Sequence, residues 1–343
     1  MILSLGLLLF SFLLTGILSI PFIHMLYRLK FQRQKQITKD MFGRLTPIFD
    51  KFHKHKAGTP VGGGLLIILV VSVLFSIIFP VLSYLGYRVT SVYPLLPALN
   101  VIFFSFLSFG ALGLYDDIKK FFGFEKTGFF GLSVRHKLAI QVILAGVAAI
   151  MMYAGLSISF INVPFFGVIN LGWWFIPFAM FTIVAFANAV NVTDGLDGLA
   201  TGLLMICLFG LWIISASVLD TPISLFLAIW IGALIAFMYF NIYPARIWLG
   251  DVGALSFGAT LAVIGLLLGK VMALVVIGGI FVVEVGSSAI QLWSKRTLKK
   301  KIFPAAPLHL WLQHYGWEEP KIVQRAIMTG LVLMLFGVWL TFV

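Results

Sequence analysis

Apolar runs of about twenty residues recur ten times along this chain of 343 residues, and that repetition limits the fold more than any other feature. At about 1.5 Å per helical residue, one such run crosses a hydrocarbon core about 30 Å thick. The runs cover 2–27, 63–86, 94–114, 138–160, 172–190, 199–218, 223–240, 253–270, 272–294 and 324–342. Their length suits helices and not the ten-residue alternation of a barrel strand. The expectation is an all-α polytopic membrane protein, a single integral membrane domain over residues 1–343 with about ten transmembrane helices. A mean hydropathy of +1.08 with 10% charged residues rules out an ordinary soluble domain.

Basic residues set the expected orientation. The connections 28–62, 115–137, 241–252 and 295–323, the turn 191–198 and Arg325 lie on one side and carry 22 of the 24 Lys and Arg. Arg88 and Lys270 alone fall on the other side. By the positive-inside rule the basic face is cytoplasmic and both termini are extracytoplasmic. No basic residue precedes the first run, which favours an inserted helix over a cleaved leader. Cys207 is the single cysteine, so no internal disulfide can form. The net charge of +12 is spread over connections beside the membrane, where anionic lipid headgroups are the natural partner. Without a recognition helix or an aromatic–basic repeat, a nucleic-acid partner is excluded. Residues 160–172 read as a small hairpin at the membrane surface.

Polar chemistry is confined to five segments, each abutting the cytoplasmic end of a span. They are KAGTPVGGG (56–64), LYDDIKK (114–120), NAVNVTDGLDG (188–198), FNIYPARIWLGDVGA (240–254) and PAAPLHLWLQHYGW (304–317). Convergence at one depth suits an interfacial active site. A conduction path would instead need charges at intermediate depths in several helices, and Glu284 alone qualifies.

In LYDDIKK, Asp116 and Asp117 point about 100° apart on a helix; they either pair with Lys119 and Lys120 or, with Asp251, offer hard oxygens to Mg²⁺. Asp194 and Asp197 share a helix face if the helix has begun; an N-cap would account for one of them only, whereas a binding site would also use Asn188, Asn191 and the second acid. Lys56 and Thr59 precede three glycines that open a span, an arrangement suited to an anion though not with P-loop spacing. Trp248 is either an interfacial aromatic or a stacking surface for a base. His309 and His314, five apart, do not make a zinc pair. Glu284 needs a partner inside the membrane, and Ser287, Ser288 and Gln291 are the candidates within two turns. The stretch Asp197-Gly198-Leu199-Ala200 superficially matches the CDP-alcohol phosphatidyltransferases, but Thr201 stands where that family has arginine.

Together the five segments, from about Lys56 to Arg325, resemble the polyprenyl-phosphate N-acetylhexosamine-1-phosphate transferase superfamily. The lysine before Gly-Thr-Pro (56–60) and the ending APLHLWLQHYGWEEPKIV (306–323) are similar to its phospho-N-acetylmuramoyl-pentapeptide transferase branch. That branch usually has three consecutive histidines; here Leu310 and Trp311 follow His309. The resemblance implies a bacterial inner-membrane, multi-pass enzyme that transfers phospho-N-acetylmuramoyl-pentapeptide from its UDP-linked donor to undecaprenyl phosphate, giving lipid I and UMP. It implies Mg²⁺ held by Asp251 and Asn191. Asp116 and Asp117 would act on the prenyl phosphate or assist the metal, by direct attack or through a covalent step. Lys56, Thr59, Lys120, Asn188, Asp194, Asp197 and Asn241 would line the nucleotide-sugar site. Trp248 would stack on uracil, and His309 would contact pyrophosphate or sugar. A homodimer is compatible with this reading. The alternatives are a sister enzyme that transfers N-acetylglucosamine-1-phosphate to polyprenyl phosphate and, more remotely, a transporter.

Overall fold

A computed structural model describes residues 2–32, 56, 58–87, 89–122 and 132–343. Most of the basic connection 28–62, residues 123–131 of the next one, and Arg88 lie outside these described residues. The long helices are α1 (Ile2–Arg28), α2 (Gly63–Tyr84), α3 (Leu95–Phe122), α4 (Val134–Ile150), α5 (Phe175–Thr193), α6 (Leu199–Ser217), α7 (Thr221–Asn241) and α8 (Gly250–Leu267). They continue with α9 (Val271–Ile277), α10 (Gly279–Thr297), the short α11 (Leu308–His314) and α12 (Glu319–Leu340). Among the described residues, nine helices are long and apolar enough to cross a membrane, and the pair α9–α10 makes a tenth if counted together.

That pair corrects one expectation. The apolar run 272–294 is not a straight span; it bends by 80° between α9 and α10. The break falls at Gly278, where a Cβ would meet Phe186 Cε1 at 2.9 Å and the Leu274 carbonyl oxygen at 3.2 Å. Close packing against α5 thus occupies the space a side chain would need. Two helix ends also reach further than their apolar runs. The helix α3 continues through Asp116, Asp117 and Lys120, and α4 begins early enough to carry Lys137.

Helix α8 is the axis of the bundle, buried along almost its whole length and packed against α2, α3 and α5. Its chain-buried face joins a ring cluster of Phe106, Phe226, Trp230 and Phe257 with centroids 5.1–5.8 Å apart. At its N-terminal end α8 meets α3 backbone to backbone: a Cβ at Gly113 would lie 2.1 Å from the Asp251 carbonyl oxygen. Any larger residue at 113 would push Asp116 and Asp117 away from Asp251. At the other end of the bundle the expected hairpin is present, β1 (Phe160–Val163) paired antiparallel with β2 (Gly167–Asn170). Its turn holds Phe165 and Phe166 exposed.

Candidate active site

Up-and-down alternation brings the C-terminal ends of α3, α5, α7 and α10 together with the N-terminal ends of α2, α4, α6, α8 and α12. The polar segments therefore meet at one end of the bundle, as three clusters of side chains.

The first cluster is centred on Lys120. Its Nζ lies 2.8 Å from Asp251, 3.1 Å from Asp116 and 3.9 Å from Asp117. Lys137, at the end of the first turn of α4, is 3.1 Å from Asp116 and also pairs with Asp251. The two buried carboxylates are held from behind by backbone. Asp116 accepts from the Leu132 amide (2.7 Å), and Asp117 accepts from the Val252 amide (3.1 Å) in the first turn of α8. Asp194, at the C-terminal cap of α5, accepts from the Gly250 amide. Desolvation and the nearby Asp251 and Asp117 carboxylates push its pKa up to about 7, with the Gly250 bond opposing them. Excess negative charge is therefore concentrated here, four carboxylates against two ammonium groups.

The donor set is rich in carboxylate oxygens. Three carboxylates converge on one positive charge, that of Lys120. Among the described residues no group of three or more His, Cys, Asp or Glu forms a ready metal cage. Asn191, the expected second ligand, is one turn before Asp194; its Nδ2 is buried without a hydrogen-bond partner among the described residues. Asn188, a turn deeper on α5, donates to Gln141 Oε1 (2.6 Å) and to the Val184 carbonyl (2.8 Å).

The second cluster is centred on Lys56 and is closed. Lys56 is buried, lies 2.9 Å from Asp197 and pairs with Glu319 of α12. The remaining capacity of Asp197 is filled by the Ala245 amide (3.0 Å) and Trp248 Nε1 (3.1 Å), while its own amide donates to Glu319 (2.6 Å). Trp248 is half-buried with Lys56 5.6 Å from its ring centroid. Asn241 accepts from Thr201 (2.8 Å) and donates to the Ile247 carbonyl (2.9 Å), pinning the 242–249 connection at both ends. Thr59 is half-buried beside this cluster, its amide donating to the Lys56 carbonyl (3.4 Å).

The third cluster pairs His309 with Glu284. Nδ1 of the ring is 3.0 Å from Glu284 Oε2, and the His309 amide is 3.1 Å from Oε1. Two of the expected partners of Glu284 are engaged elsewhere. Ser287 donates to the Glu284 carbonyl, not the carboxylate, and Gln291 binds Ile302 and Phe303. On its other side the ring abuts the α5–α6 turn, where a Cβ at Gly195 would be 2.6 Å from Nε2.

The turn Asp194–Gly198 thus touches all three clusters within five residues: Asp194 the first, Gly195 the third, Asp197 the second. Sequence reasoning missed Lys137 and Glu319. Lys137 was one of several basic residues credited to topology, although its position in the first helical turn past Ser133 aimed it at the carboxylates. Glu319 is visible in the sequence only within the ending GWEEP (316–320), with no role attached.

The glycosyl transferase family 4 model matches residues 99–269, which include α3 through α8 and the first cluster. A phospho-N-acetylmuramoyl-pentapeptide-transferase of Clostridium perfringens (strain SM101 / Type A) is 36% identical over 91% of this chain and 89% of its own length. One of Chlamydia felis (strain Fe/C-56) is 34% identical over 96% of this chain and 92% of its own. One of Solidesulfovibrio magneticus (strain ATCC 700980 / DSM 13731 / RS-1) is 38% identical over 83% and 80%. With identity at this level across nearly the full length of both partners, the chain belongs to the phospho-N-acetylmuramoyl-pentapeptide transferase family.

Proposed function

We propose that the polar end of the bundle faces the cytoplasm of a bacterial plasma membrane and transfers phospho-N-acetylmuramoyl-pentapeptide from its UDP-linked donor to undecaprenyl phosphate. Lipid I and UMP are the products. The observation that carries this reading is the convergence of Asp116, Asp117 and Asp251 on Lys120, at the mouth of a helical bundle. Such a site can meet a lipid phosphate from the membrane side and a nucleotide from the aqueous side.

In the net reaction an oxygen of the acceptor phosphate bonds to the sugar-bearing phosphorus, and the bond from that phosphorus to the UMP oxygen breaks. Asp251 and Asn191 would hold Mg²⁺. When bound, the ion neutralises diphosphate charge and stabilises the departing UMP. Lys120 and Lys137 then exchange their carboxylate partners for phosphate oxygens, which screens the approach of two anions. Asp117, held by the Val252 amide, keeps one oxygen aimed at the cluster and orients the acceptor phosphate. Trp248 supplies an aromatic face at the nucleotide end, with Lys56, Asp197 and Asn241 fixing the connection that carries it.

Purified protein in detergent with Mg²⁺ and undecaprenyl phosphate is expected to release UMP from UDP-N-acetylmuramoyl-pentapeptide and not from UDP-N-acetylglucosamine. Release from the second donor alone would move the chain to the sister chemistry, and release from neither would overturn the enzyme reading.

A further inference from the structure

Helix α10 carries a polar stripe that an apolar span should not tolerate without a purpose. Glu284, Gln291 and Ser294 lie seven and three residues apart, close to two turns and one turn, so they share one face. Each is spent on the segment that follows α10. Ser294 donates to the Lys300 carbonyl at 2.6 Å. Gln291 donates to the Phe303 carbonyl at 2.7 Å and accepts from the Ile302 and Phe303 amides at 3.1 and 3.0 Å. Glu284 accepts from the His309 amide and ring. The order 294, 291, 284 against 300, 303, 309 describes a segment laid antiparallel along the helix and fastened at three points. His309 is its last fastened residue.

Glu284 and His309 are 3% and 1% exposed, so neither is screened by water. A buried carboxylate is costly unless a positive or strongly donating partner meets it. Here that partner is the imidazole. A carboxylate on Nδ1 fixes that nitrogen as a donor and frees Nε2 for another ligand. Nε2 faces the Gly195 backbone, next to Asp194 and hence to the carboxylate cluster.

We propose that Glu284 is the positioning residue for His309: it holds Nδ1–H, and so aims Nε2 towards the diphosphate of the nucleotide sugar. The proposal rests on the function proposed above and adds a residue to it. It also gives the one histidine at 309–311 an orientation that does not depend on histidines at the next two positions, since Leu310 is buried and the Trp311 ring lies tilted against Phe303 with centroids 5.2 Å apart.

The test is a double-mutant cycle on the full chain in detergent with E284Q, H309Q and the double variant. Glutamine at 284 keeps the shape and one accepting oxygen for His309 Nδ1, and loses the charge and the second acceptor. Removing an orienting carboxylate from a histidine, E284Q is expected to lower kcat about 10- to 100-fold and to leave KM for the nucleotide donor within about threefold. The double variant is expected to be no slower than H309Q alone. Losses that multiply in the double variant, or full activity of E284Q, would overturn the proposal and leave the transferase assignment intact. ¹⁵N-histidine spectra of the wild-type chain, with His309 assigned by its loss in H309Q, supply a readout independent of turnover. A ring protonated at Nδ1 is expected; a neutral ring protonated at Nε2 would overturn the dyad even if UMP is released.

Discussion

The two lysine-centred clusters use the same functional groups and differ in how they are enclosed. The Lys56 and Asp197 side chains are 3% and 5% exposed, and Asp197 has bonds from a lysine, an amide and an indole. The Lys120 and Asp251 side chains are 20% and 16% exposed, and Asp251 is paired with the ammonium groups of Lys120 and Lys137. A buried network with its hydrogen-bonding capacity filled resists rearrangement, because any departure leaves an unpaired charge in a low dielectric. Half-open ion pairs exchange partners cheaply. The closed cluster is therefore the frame that fixes α2, the α5–α6 turn, the 242–249 connection and α12 to one another. The open cluster is where charge can be redistributed, as the function proposed above requires of a site that meets a polyanion and a divalent cation.

Substitutions break this comparison in different ways. The largest effect on turnover is expected from Asp251→Ala: UMP release falls at least about 1000-fold, on the scale of losing an electrostatic anchor of the transition state, while the thermal unfolding midpoint stays near the wild-type value. Lys56→Ala should do the opposite to stability. It strands the Asp197 and Glu319 carboxylates in a buried site, a loss of about 3–5 kcal/mol, read as a clear fall in the unfolding midpoint before any kinetic change is considered.

A smaller effect separates the clusters by pH. The Asp194 carboxyl, raised to about 7 by burial and by Asp251 and Asp117, binds its proton more tightly in the folded chain than in the unfolded one. Its contribution to stability is thus full below about pH 4, near the ordinary carboxylate value, and is lost as pH rises towards 7. In EDTA, Asp194→Asn should raise the unfolding midpoint at pH 8, and the gain should shrink towards pH 4; a gain independent of pH would contradict the assignment. Trp248→Phe is the mildest change. It keeps an aromatic face and removes one hydrogen bond to Asp197, so a destabilisation of about 1 kcal/mol is expected with a donor KM within about fivefold.

Much of this organisation was legible in residue order, for physical reasons. Apolar length dictates spans, and Asp116, Asp117, Asp194 and Asp251 stand out because carboxylates beside a membrane are expensive. Their convergence followed from helix alternation alone. The bend at Gly278 was not legible, since a glycine within an apolar run does not reveal that Phe186 occupies the space beside it. Lys137 and Glu319 were hidden because charge at a helix end serves topology and chemistry alike. Glu284 was visible as an anomaly, yet its partner His309 is 25 residues away and arrives only because the segment after α10 folds back along it. Local spacing cannot supply that contact.

The central claim is that the open cluster around Asp251 is the place where cation and diphosphate meet. Electron paramagnetic resonance of Mn²⁺, substituted for Mg²⁺ and added with the UDP-linked donor, tests it without requiring turnover. The expected result is a donor-dependent bound Mn²⁺ signal in the wild-type chain that is lost in Asp251→Ala and kept in Trp248→Phe. A bound signal of equal strength in Asp251→Ala would place the cation elsewhere and contradict the account.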